Sequence, residues 1–156
     1  MNLYVSKLYQ MLWYFSIWTH LQLVIYLYDT PLDIRVYSIK RLLYSLCICS
    51  VGGYYNAYMY PRRIYIPYLD YECKGHAIKI MDFLGHHVPL LYFYFFHVRP
   101  HHEQLYRLPS LTLDIIVLPI TYMSCIPVEK IYGVKHKELF MLSPLVHLLY
   151  FTLLYF

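Results

Sequence analysis

Charge is what this sequence has least of. Asp, Glu, Lys and Arg together supply 14% of its 156 residues, against 60% apolar. Soluble globular domains carry about 25% charged residues, so this balance argues against an ordinary soluble domain. The abundance of large apolar side chains equally excludes a disordered chain, a collagen-like chain or an acidic solvating tail. Cysteine is sparse: there are four, none at the C-x-x-C spacing of zinc or redox sites. Cys47, Cys49 and Cys125 fall in apolar runs and read as small buried side chains, and Cys73 lies in the longest connection. No basic stripe with interleaved aromatics is present, which leaves nucleic acid without support as a partner. There is also no internal repeat and no linker long enough to divide the chain, so residues 1–156 read as one unit.

What remains is apolar sequence in long uncharged runs. Leu8–Tyr28 is 21 residues and Leu42–Tyr60 is 19, both without Asp, Glu, Lys or Arg. Phe83–Val98 is 16 residues, extended to full length if its helix starts near Ile78. Leu108–Val128 is 21 residues with Asp114 inside it, and Leu139–Phe156 is 18. A hydrocarbon core about 30 Å thick needs roughly 20 helical residues. An amphipathic soluble helix would show charge on its outer face at the helical period, and these runs show none. The expected fold is an all-α polytopic transmembrane bundle of about five spans, near 8–28, 42–60, 78–98, 108–128 and 139–156. The first run exceeds a signal-peptide core and lacks small residues at its end, so it reads as a retained span.

The connections carry nearly all the charge. Thr30-Pro31 should stop the first helix. Pro61–Met81 is broken by Pro61, Pro67 and Gly75, and its Tyr60, Tyr65, Tyr68 and Tyr71 suit the headgroup level, where amphipathic rings accumulate. The side holding the N-terminus collects eight Lys and Arg against five opposite, which places the N-terminus in the cytoplasm. The lipid bilayer is the expected partner, with basic flanks facing anionic headgroups. Gly52-Gly53 is the main small-residue site for close helix approach.

Chemistry is concentrated in the histidines and the embedded acids. Six of nine histidines lie between His76 and His102. Asp82 and His86 are four apart and share a helical face, where the carboxylate would orient the imidazole and fix its tautomer. His87 follows directly. His97, eleven residues past His86, returns to nearly the same face if Pro89 only kinks the helix. His101 and His102 read as interfacial residues, and His20 and His147 as contacts between helices. Asp114 within its run must be paired, protonated or in contact with water. Ionisable groups in lipid normally face the bundle interior and mark candidate sites.

Two resemblances attach to these residues. His97-x-x-x-His101-His102 resembles one histidine box of the membrane fatty-acyl desaturases and hydroxylases, which would imply a di-iron centre; the other boxes are missing. Several short spans, with Asp82-x-x-x-His86-His87-x-Pro89 opening one of them, resemble the androgen-induced family of multi-span lipid hydrolases. That resemblance implies an embedded Thr nucleophile and an embedded His base acting on fatty-acid esters of hydroxy fatty acids, and it places Thr19 and His86 in these roles. The residues leave three classes open. One is a small membrane scaffold or partner subunit of other membrane proteins. The second is a lipid hydrolase using Thr19, His86 and Asp82. The third is a proton or ion conduit using Asp114, His87 and His97, or a metal enzyme with His97, His101 and His102 as ligands. The sequence specifies no cofactor.

Overall fold

In the computed structural model the described residues are all-α apart from one short β-ladder. The structure describes residues 14–29, 32–59, 64–66, 71–73, 75–109, 112–126 and 136–156. Helix α1 spans Phe15–Asp29 and α2 spans Leu32–Tyr54, on either side of Thr30-Pro31. A wide π turn, Tyr55–Met59, continues α2. Strands β1 (Ile64–Ile66) and β2 (Tyr71–Cys73) pair antiparallel, with Tyr65 in register with Glu72.

The next stretch is one helical path of changing pitch. It runs through α3 (His76–Asp82), a π turn (Phe83–His87), α4 (Val88–Phe93), a second π turn (Tyr94–Val98), a 3₁₀ turn (Arg99–His101) and α5 (His102–Tyr106). Proline accounts for both wide turns. It has no N–H to give residue i−4, and its ring crowds that carbonyl. Pro89 does this to Gly85 and Pro100 to Phe96, each inside a π turn. Helices α6 (Leu113–Cys125) and α7 (His136–Tyr155) complete the described bundle.

Helix α2 is the axis, and α1, α3, α4, α5, α6 and α7 all pack against it. Leu42 through Cys47 are all buried, so this stretch has no outward face. Leu43 and Leu46 join Phe93, Leu105, Ile115, Tyr150 and Leu154 in the main core. A smaller cluster holds Phe15, Cys49 and Tyr122, with the Phe15 ring edge-on to Tyr122 at 5.1 Å. Lys40 is buried in the same axis at 2% exposure. Its ammonium donates to the Leu108 and Pro109 carbonyls at 2.8 and 2.9 Å, tying α2 to the segment after α5.

The helices depart from the expected spans. Among the described residues, no helix is long and apolar enough to cross a membrane. Helices α1 and α6 have 15 and 13 residues, or about 22 and 20 Å at 1.5 Å per residue. Helix α2 has 23 residues but starts ten positions before Leu42, taking in Asp33, Arg35, Lys40 and Arg41. The 78–98 run is helical throughout, yet the two prolines divide it into segments of different pitch. Helix α7 opens on His136-Lys137-Glu138 and contains Pro144. Charge-free runs therefore located the helical regions without fixing where each helix begins, because α2 tolerates buried or flanking charge that a run count treats as a boundary. Residues 8–13, 60, 110, 111, 127 and 128 of those expected spans lie outside the described set, as do Tyr68 and the side chains of Tyr65 and Tyr71.

Candidate active site

The π turn at Phe83–His87 builds an unusual arrangement around one buried carboxylate. In an α-helix, residue i meets i+4; a turn closed at i+5 brings both i+4 and i+5 over residue i. Asp82, 5% exposed, thereby receives two consecutive imidazoles. His86 Nδ1 donates to Asp82 Oδ1 at 2.7 Å, and His87 Nε2 donates to Asp82 Oδ2 at 3.1 Å. An imidazole that gives its proton at one nitrogen has a lone pair at the other. The Nδ1 of His87 is that acceptor, and the Ser50 hydroxyl donates to it at 2.5 Å.

Helix α2 supplies the other half. Ser50 and Gly53 are three apart and share one face. Ser50 is 4% exposed and meets His87, while Gly53 lies under the Asp82–His86 pair. A Cβ on Gly53 would stand 2.0 Å from Asp82 Oδ1 and 2.4 Å from His86 Nδ1. The carboxylate and imidazole thus occupy space that any side chain at 53 would fill. At Gly52 a Cβ would meet nothing within 4 Å, so only the second glycine of the pair is a close-approach position.

Ser50 and His87 both line a cavity of about 230 Å³. Leu90, Leu91 and Tyr94 line it from the 88–98 segment, and Leu149 and Leu153 from α7. The hydrogen-bonded line from Asp82 through His87 to Ser50 therefore ends at an apolar space. A hydroxyl bonded to an imidazole, itself oriented by a buried carboxylate, is the arrangement of an activated nucleophile. The two ring nitrogens are exchanged relative to the Ser-His-Asp triad, in which Nε2 faces the hydroxyl; either nitrogen of a neutral imidazole serves as acceptor.

The other candidates are placed elsewhere. Thr19 is fully buried; its hydroxyl donates to the Phe15 carbonyl at 3.1 Å and accepts from Cys49 Sγ at 3.4 Å, with no histidine among its partners. His86 meets Asp82, whereas His97 has different neighbours. Its ring stands edge-on to Tyr26 at 5.2 Å and stacks on Phe93, with Tyr26 Oη 3.4 Å from Nδ1. His101 donates to the His97 carbonyl at 2.9 Å. His102 Nε2 is buried with no hydrogen-bond partner among the described residues. Among the described residues, no three or more His, Cys, Asp or Glu side chains are grouped to hold a metal ion. His20 donates to the Ser16 carbonyl, and His147 donates to the Ser143 carbonyl while Tyr44 approaches its Nε2 at 3.4 Å. Asp114 sits in the first turn of α6, and its side chain lies outside the described set.

Ser50 is the member that the sequence did not single out. Its one signal is position: three residues before Gly53, on the face that the small residue opens. The chain matches no family model, no curated protein and no solved structure.

Proposed function

We propose that this chain is a membrane-embedded hydrolase of apolar esters, with Ser50 as nucleophile, His87 as base and Asp82 as the carboxylate that orients it. The observation that carries the reading is the Ser50–His87–Asp82 hydrogen-bond line ending at an apolar cavity. The Ser50 oxygen attacks the ester carbonyl as His87 Nδ1 takes its proton. Collapse of the adduct expels the alcohol, which leaves with that proton. Water then attacks the acyl-enzyme, again giving a proton to His87, and the acid departs as Ser50 recovers its hydrogen. Asp82 stabilises the imidazolium formed at each step.

Membrane location is supported by the outer surface. Ile25, Ile80, Leu84, Phe96, Ile120, Met141 and Leu148 are each more than half exposed and come from six different helical segments. Apolar exposure on that scale marks a surface that faces lipid or partner proteins. Embedding the helices together, with polar Lys40 and Asp82 turned inward, matches how ionisable groups are accommodated in lipid.

The test is ester hydrolysis by the chain reconstituted in liposomes. Ser50→Ala and His87→Ala should each lower kcat by about a thousandfold or more, and Asp82→Asn by a comparable factor. Thr19→Val should leave kcat within a few-fold. Wild-type hydrolysis that survives Ser50→Ala would remove the assignment and return the chain to the scaffold or partner-subunit class.

A further inference from the structure

We propose that His86 is a positioning residue for this site: through the shared carboxylate of Asp82 it fixes the tautomer of His87 that leaves Nδ1 open to Ser50. The inference rests on the hydrolase reading for its consequence in catalysis, and on geometry alone for the tautomer.

Asp82 has two oxygens and, among the described residues, two hydrogen-bond partners. His86 Nδ1 holds Oδ1 at 2.7 Å, the shorter of the two contacts, and His87 Nε2 holds Oδ2 at 3.1 Å. The shorter contact anchors the carboxylate plane; the longer one inherits it. Gly53 encloses the anchored half, since even one carbon there would collide with both Oδ1 and His86 Nδ1. With Oδ1 occupied and walled in, Oδ2 has one orientation to offer. That orientation selects the His87 tautomer with its proton on Nε2, and this leaves Nδ1 as the acceptor for Ser50. Without His86, Asp82 is free to turn about its side-chain torsion, and His87 is free to place its proton on Nδ1, where it would no longer act as base. Among the described residues, the hydrogen-bond partners of the His87 ring nitrogens are Asp82 on its own segment and Ser50 from α2, and Tyr94, Leu149 and Leu153 line the same cavity.

The experiment is nitrogen NMR of the histidine rings in the full chain, held in detergent micelles, with His87 identified by its absence in His87→Gln. Wild type should show one His87 tautomer, protonated at Nε2. In His86→Ala, and in His86→Leu, which keeps apolar bulk, His87 should become a mixture of tautomers. His86→Gln, which retains a donor for Oδ1, should restore the single form. Ester hydrolysis should fall about tenfold in kcat for His86→Ala with KM little changed, and recover in His86→Gln. A His87 ring spectrum that is the same in wild type, His86→Ala and His86→Leu overturns the proposal. The tautomer is read without turnover, so it decides the role of His86 even if no ester is cleaved; absent hydrolysis overturns the hydrolase reading separately.

Discussion

At the scale of single residues, the site depends on a side chain that is missing. Gly53 lets a carboxylate and an imidazole lie against the backbone of α2, whereas Gly52 beside it has open space. Their alanine variants should therefore diverge. Gly52→Ala should hold or raise stability by up to about 1 kcal/mol, the ordinary gain of alanine over glycine inside a helix. Gly53→Ala should lose about 1 to 3 kcal/mol, as overpacking forces Asp82 and His86 aside. Thermal unfolding in micelles, with ester hydrolysis alongside, separates the two. The Asp82–His86 pairing was legible in the sequence, because four-residue spacing on a helix is a strong geometric statement. The partnership of His87 with the same carboxylate was not, since i+5 pairing exists only where the helix widens. Ser50 was illegible for a different reason: a serine inside an apolar run carries no local signal of what stands across from it.

At the scale of elements, proline placement sets where the helical path changes pitch. Pro89 and Pro100 each follow a π turn, and beyond the first of these turns His97 meets Tyr26. Helix α1 ends at Asp29 and α2 begins at Leu32, and Thr30-Pro31, read as the stop of the first helix, lies outside the described residues. The seam between α2 and the segment after α5 rests on Lys40. Lys40→Met keeps the apolar stem but leaves two carbonyls without their donor, so it should cost about 1 to 3 kcal/mol. Thermal unfolding of the micelle-held chain checks this, and unchanged stability would show that the seam is held by packing alone.

At the scale of the whole molecule, all-α architecture was readable from uncharged runs, but the length and limits of individual helices were not. Run lengths measure where charge is absent, and the bundle hides Lys40 and Asp82 inside instead of excluding them. What the assembled helices create is one axis, α2, holding Ser50 and Gly53 against a widened turn, beside an apolar cavity lined by the 88–98 segment and α7. A long-chain alkyl fluorophosphonate fits this arrangement, having an apolar tail for the cavity and a phosphorus centre for an activated hydroxyl. The decisive measurement is mass-spectrometric mapping of its adduct on the chain in native-like membranes. The account predicts a single phosphonyl adduct on Ser50 that disappears in His87→Ala. An adduct on Thr19, or an unmodified Ser50 under conditions that label a control serine hydrolase, would contradict it.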